Sequence, residues 1–168
     1  MGLFDVFKKK EEAFEELNAA DTDIVAPADG RLIDVSTVSD AMFAQKMLGE
    51  SVAFTYEGDK VTVCSPANGT LSVLFPTGHA FGMTMKDGTE LLVHIGIDTV
   101  NAKGDGFRLM KKKQGDPVKA GDPIVEADLR KLSKKYEMPV MLIVTNSTEH
   151  PVSFAEPCDV TRGEKINL

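Results

Sequence analysis

Ala26-Pro27-Ala28-Asp29-Gly30-Arg31-Leu32-Ile33-Asp34-Val35 returns thirty-nine residues later as Ser65-Pro66-Ala67-Asn68-Gly69-Thr70-Leu71-Ser72-Val73-Leu74. Each copy has a proline, a turn dipeptide ending in glycine, and then apolar residues at every second position. Alternation of that kind is the mark of a strand with one face on a core, and the glycines read as answers to the positive φ of tight turns. The repeat predicts a duplicated β-motif. Outward from it, short apolar runs from Ile24 onward are separated by Glu57-Gly58-Asp59, Asp87-Gly88, Gly115-Asp116-Pro117 and Gly121-Asp122-Pro123. Turn signals this dense predict an all-β fold, a mostly antiparallel sandwich or barrel. Helix is expected to be minor: one or two turns within 40–48 and within 128–136, each opened by an aspartate at the N-cap.

The chain of 168 residues is long enough for one domain with a real core, and its composition, 42% hydrophobic and 27% charged, is ordinary. A net charge of −7 and the lack of tryptophan speak against nucleic acid, whose phosphates need basic surfaces and whose bases need stacking platforms. Two cysteines, Cys64 and Cys158, make neither a disulfide framework nor a CxxC pair, so a reducing cytoplasm is the expected compartment. No apolar run approaches a membrane span, and no signal-peptide pattern opens the chain. Residues 1–20 differ from the rest. Leu3, Phe4, Phe7, Phe14 and Leu17 recur at roughly helical spacing among Lys8-Lys9-Lys10 and four glutamates. This reads either as a short amphipathic helix that touches a membrane or partner, or as a flexible, solvated tail. The domain proper is expected over 21–168.

Candidate chemistry lies in Leu91-Leu92-Val93-His94-Ile95-Gly96-Ile97-Asp98-Thr99. Period-two reading puts Val93, Ile95 and Ile97 on one face and Leu92, His94, Gly96 and Asp98 on the other. His79 lies fifteen positions earlier, and Asp87-Gly88 stands midway between the two histidines. A hairpin closed there makes the two rings cross-strand neighbours. A single strand histidine is most simply a satisfied core residue. Two facing imidazoles offer a nucleophile, a metal ligand pair, or an acid–base pair.

Several blocks resemble one family. Ala26-Pro27-Ala28-Asp29-Gly30, Phe43-Ala44-Gln45-Lys46, Ser65-Pro66-Ala67-Asn68-Gly69, Thr77-Gly78-His79-Ala80, Leu92 to Val100 and Lys103-Gly104-Asp105-Gly106-Phe107 together look like the glucose-specific type IIA (EIIA) components of the bacterial phosphoenolpyruvate-dependent sugar phosphotransferase system. The likeness implies a duplicated hybrid β-motif and a phosphocarrier that needs no cofactor. By that likeness His94 is phosphorylated from the phosphohistidine of the small carrier HPr and passes the group to a cysteine of a permease EIIB domain. His79 would then support the phosphoryl group, and Thr77 would orient His79. Asp98 and Asp40 would flank the site, either seating partners or merely capping a turn and a helix. Gly96 would leave room for the incoming phosphohistidine. Met42, Phe43, Met47, Leu48, Phe75 and Leu92 match the family's apolar docking rim, although each position is equally a candidate for core. The sequence departs from the family pattern at Ser51, Ala102, Leu92 and Ile95, which bears on partner preference.

Alternatives stay open beside that likeness. Related barrel folds host zinc hydrolases, but no His-x-His occurs here and Asp98 is poorly spaced to complete a site. The likeness does imply zinc shared between His79, His94 and a partner's carboxylate. Gly115 to Val125 resembles the hammerhead turn of biotinyl and lipoyl carriers, yet Met85-Lys86-Asp87 lacks the Met-Lys-Met of biotin carriers. A regulatory protein that binds transporters or kinases is the remaining reading. Membrane contact would come only through the permease or the N-terminal tail.

Overall fold

The two copies of the repeat become strands β1 (Gly30–Ile33) and β4 (Gly69–Leu74). The computed structural model describes residues 14–168. The other strands are β2 (Glu50–Thr55), β3 (Lys60–Cys64), β5 (Ala80–Met85), β6 (Glu90–Ile95), β7 (Phe107–Leu109), β8 (Pro117–Val118), β9 (Pro123–Asp128), β10 (Val140–Val144) and β11 (Cys158–Val160). An eight-stranded sheet runs β11-β1-β2-β10-β6-β5-β4-β8, and a three-stranded sheet runs β3-β9-β7. Every named pairing is antiparallel. The expected all-β class holds, and so do both short helices. These are α1 (Ala41–Ala44), whose N-cap Asp40 accepts from the Met42 N–H, and α2 (Leu129–Leu132), whose N-cap Asp128 accepts from the Lys131 N–H.

The repeat is a structural near-symmetry. Asp29 Oδ1 accepts from the Arg162 N–H and the Gly163 N–H donates to the Ala26 carbonyl. In the second copy Asn68 Oδ1 accepts from the Ala120 N–H and the Gly121 N–H donates to the Ser65 carbonyl. The two proline segments also bind each other, through Val25 N–H to Pro66 O at 2.7 Å and Cys64 N–H to Pro27 O at 3.0 Å. The glycines of the repeat serve a different purpose from the one expected. Gly30 and Gly69 are absent from the positive-φ residues. A Cβ on Gly30 would meet Tyr56 at 2.4 Å, and one on Gly69 would meet the Thr84 carbonyl at 2.1 Å. Close approach of a neighbouring strand demands them.

The main core fills the space bounded by both sheets, with Leu32, Phe54, Leu71, Phe81, Leu91, Val93, Ile95, Ile124 and Leu142 buried there. A second, smaller cluster of Val35, Val38, Phe43, Ala53, Ile97, Met141 and Ile143 lies on the other face of the large sheet. The segment carrying the 3₁₀ turn Val35–Thr37 and α1 covers it. This double covering explains why β10, Val-Met-Leu-Ile-Val, is apolar throughout rather than alternating.

Residues 14–20 contain no helix. Leu17 instead seats on Gly121 and Gly163, the two symmetry-related turns, while the Arg162 guanidinium lies over the Phe14 ring and donates to the Glu15 carbonyl. The helical reading therefore fails at Phe14 and Leu17. Its remaining positions, Leu3, Phe4 and Phe7, lie outside the described residues.

Candidate functional site

His94 sits on β6, between β10 and β5, on the face turned toward the smaller cluster. The Asp87-Gly88 hairpin closes as expected, with the Met85 N–H donating to the Thr89 carbonyl. Its register places Ala80, not His79, directly opposite His94. His79 reaches the same face because Gly78 adopts φ +76° and the chain bends before β5 begins. The result is two imidazoles with ring centroids 5.5 Å apart and planes at 75°. A backbone hydrogen bond from the Ile95 N–H to the His79 carbonyl, 2.7 Å long, ties the two residues together.

Each ring is fixed by its Nδ1. That of His79 lies 2.7 Å from Thr77 Oγ1, and that of His94 lies 2.8 Å from the Gly96 carbonyl. A carbonyl can only accept, so in neutral His94 the proton resides on Nδ1 and the lone pair on Nε2. Both rings have aromatic neighbours: Phe43 at 5.1 Å from His94 and Phe75 at 5.0 Å from His79. Burial lowers the pKa of both histidines, because losing water penalises the charged ring. For His94 the hydrogen bond to Gly96 pulls the other way. His79 adds to the lowering, and the Asp40 and Asp98 carboxylates oppose it through space. The balance favours a neutral imidazole with a free lone pair near neutral pH.

The structure places the other sequence candidates less uniformly. Met42, Met47, Leu48 and Phe75 are apolar yet 42%, 68%, 37% and 40% exposed. Phe43 is 4% exposed and belongs to the small cluster, forming the floor beneath His94 rather than part of a rim. Leu92 is half-buried against the same cluster. Gly96 leaves no open space: with φ +79°, a Cβ there would lie 2.5 Å from Thr99 Cγ2 and 2.8 Å from Met138 Sδ. Its backbone, not a visitor, requires glycine. That positive φ also resets the alternation, so Ile97 joins the small cluster instead of sharing a face with Val93 and Ile95. Asp98 is exposed at φ +60° at the head of the 3₁₀ turn Thr99–Ala102 and makes no side-chain cap bond. Asp40 does cap α1. Val100, at the end of the Leu92 to Val100 block, and Leu109 are also apolar and exposed, and no sequence pattern marks either as surface. Leu109 approaches Gly78, next to His79.

Two imidazoles make half of a tetrahedral zinc shell. No group of three His, Cys, Asp or Glu that could hold an ion occurs among the described residues. The two rings by themselves leave a resident zinc ion short of ligands.

Comparison with known proteins bears on what such a pair serves. The family described as phosphoenolpyruvate-dependent sugar phosphotransferase system, EIIA 1, matches residues 22–150. The glucose-specific EIIA component of Haemophilus influenzae is 35% identical over 170 residues, covering 100% of this chain and 98% of that protein. That of Halalkalibacterium halodurans is 36% identical over 99% of this chain and 94% of its own length. Glucose permease IIA from Mycoplasma capricolum superposes with a TM-score of 0.76 at 32% identity, over 86% of this chain and 93% of that one. In a glucose-specific EIICBA component of Staphylococcus carnosus, the match, 34% identical, takes up 22% of the longer protein. The chain belongs to the EIIA type 1 family of the phosphoenolpyruvate-dependent sugar phosphotransferase system and has the role of a phosphocarrier in it.

Proposed function

We propose that Nε2 of His94 is the atom that carries the phosphoryl group. The observation behind this reading is the pair of facing rings, each tethered through Nδ1, which leaves both Nε2 atoms unclaimed by those bonds. In the forward step the Nε2 lone pair attacks the phosphorus of the HPr phosphohistidine. The new N–P bond forms as the donor's N–P bond breaks, and the electron pair of the broken bond stays on the donor imidazole. In the second step a cysteine thiolate of an EIIB domain attacks, and the pair returns to His94 Nε2. Phosphoryl transfer has a loose transition state with charge on the equatorial oxygens, so positioned donors do most of the work.

His79 supplies such a donor in this scheme. When the Thr77 hydroxyl donates to His79 Nδ1, the ring proton resides on Nε2, from which it can bond a phosphoryl oxygen on His94. Met42, Met47, Leu48 and Phe75 form the apolar surface against which HPr and EIIB dock in turn, with Phe43 and Leu92 supporting it from below. Asp40 and Asp98 keep their carboxylates beside that surface. We place the exchange in the cytoplasm, reaching the membrane through the permease or the N-terminal tail. No helix among the described residues is long and apolar enough to cross a membrane.

The test is labelling with phosphoenolpyruvate, the first general enzyme of the system and HPr. One acid-labile, base-stable phosphate is expected per chain, absent in His94→Gln. Labelling of His94→Gln at the normal rate would overturn the reading. His79→Gln should still accept phosphate but pass it on slowly, and an unchanged onward rate would remove the role given to His79.

A further inference from the structure

The tautomer of His94 depends on where the Gly96 carbonyl points, and glycine by itself does little to hold a carbonyl in place. The two peptide planes that flank Gly96 are instead each pinned at both ends. In the Ile95–Gly96 plane, the carbonyl of Ile95 accepts from Thr99 Oγ1 and the N–H of Gly96 donates to the Pro139 carbonyl at 2.8 Å. In the Gly96–Ile97 plane, the carbonyl of Gly96 accepts from His94 Nδ1 and the N–H of Ile97 donates to the Glu137 carbonyl at 2.9 Å. Because each peptide is rigid, bonds at both ends fix its plane, whereas a bond at one end alone leaves it free to rotate. Among these four partners, the Thr99 hydroxyl is the one side chain apart from His94 itself.

Thr99 is placed to do this. It is fully buried, and its methyl packs where a Gly96 Cβ would be. Its hydroxyl closes the five-residue loop from Ile95 to Thr99, within which Gly96 and Asp98 both have left-handed backbones. Without the hydroxyl, the Ile95 carbonyl loses this anchor. The Ile95–Gly96 plane then keeps one bond, to Pro139, about which it can rotate. Through the permissive φ and ψ of Gly96 that rotation tilts the next plane, held besides His94 only by Glu137, and swings the Gly96 carbonyl off His94.

We propose that Thr99 is a positioning residue for phosphoryl transfer, one whose hydroxyl keeps the Gly96 carbonyl on His94 Nδ1 and thereby keeps the lone pair on Nε2. The inference rests on the reading of His94 as the phosphoryl acceptor. At metal sites, the direct partners that set a ligand histidine's tautomer are worth roughly 10- to 100-fold; Thr99 acts one bond further out, so the low end, about tenfold, is expected.

The experiment compares wild type, Thr99→Val and Thr99→Ser as full chains with ¹⁵N-labelled histidine. Ring ¹⁵N shifts report the tautomer of His94 with no phosphate present, and His94→Gln assigns its signals. Thr99→Val keeps the shape but lacks the hydroxyl; it should give a mixture of tautomers and about tenfold slower acceptance from phosphorylated HPr, with KM for HPr unchanged. Thr99→Ser should restore both the single Nδ1–H tautomer and the rate, even if it is less stable. Should Thr99→Val not fold, Thr99→Ala, which only removes atoms, takes its place. A pure Nδ1–H tautomer in the variant lacking the hydroxyl overturns the proposal. So does a mixed tautomer in Thr99→Ser, because packing would then be the cause. Since the ring shifts need no transfer, labelling of His94→Gln would defeat the functional reading while leaving this result standing.

Discussion

Replacing Phe43 by alanine separates a floor from a rim. The side chain is 4% exposed, shares a cluster with Val35, Val38, Ala53, Ile97, Met141 and Ile143, and lies 5.1 Å from the His94 ring. Deleting a buried phenylalanine costs about 3–5 kcal/mol through lost transfer energy and the cavity left behind. The lower end applies, because the cluster is small and Val38 and Ile97 in it are 9% and 8% exposed, so about 3 kcal/mol is expected. For a domain of this size, at about 2–4 °C per kcal/mol, Tm should fall by roughly 6–12 °C. A second effect follows from the same contact. Burial is the main cause of the lowered His94 pKa, so water admitted over the ring should move its midpoint up toward 6.5, the value of an unperturbed histidine. Thermal unfolding followed by circular dichroism and an NMR titration of the His94 ring measure the two effects separately. Phe43→Leu, which keeps most of the volume, should cost only about 1 kcal/mol. If Phe43→Ala loses less than about 1 kcal/mol, or destabilises the protein while leaving the His94 midpoint unmoved, Phe43 is not the floor of this site.

Stability should also depend on pH through the two histidines. Both have lower pKa values folded than unfolded, so as pH falls below about 6.5 the unfolded chain takes up protons first and folding is disfavoured. Urea midpoints measured from about pH 7 to about pH 5 should fall in wild type and flatten in the double variant His79→Gln, His94→Gln; equal slopes would contradict the lowered values. Leu17→Ala, at the seat on Gly121 and Gly163, should cost about 1 kcal/mol of stability and leave phosphate acceptance from HPr at the wild-type rate. A loss of acceptance in soluble, folded Leu17→Ala would show that the seat and the histidines are coupled.

The parts of the fold that could be read from sequence are those set by local chemistry. Asp87-Gly88 closes its hairpin because the turn lies between two strands adjacent in the chain, and Asp40 and Asp128 cap helices because a cap needs only its own next few residues. The features missed depend on approach from elsewhere. Nothing near Gly30 announces that Tyr56 will cross it, and nothing near Gly96 announces Met138 and the carbonyls of Glu137 and Pro139. Period two carries Ile97 to the face of Val93 and Ile95, but the left-handed backbone at Gly96 turns it to the opposite face. For Phe43 the family likeness leaves rim and core equally open, and a helix of four residues is too short for periodicity to say which side is buried. At the site, the two histidines were legible as a pair, whereas the residues that hold their Nδ1 atoms were only half so. Thr77 came from the family likeness, and the part played by Gly96 is visible only in three dimensions.

The seat of the arm gives the molecule a polarity. Asn68 and Lys86 hold residues 19–21 at the end of the β4–β5 pair where Gly69 faces Met85. The histidines lie at the other end, where Leu74 faces Phe81. Six residues of strand separate the two by roughly 17 Å at 3.3 Å per residue. Residues 19–21 are thus held at the far pole from the chemistry, clear of the histidine face.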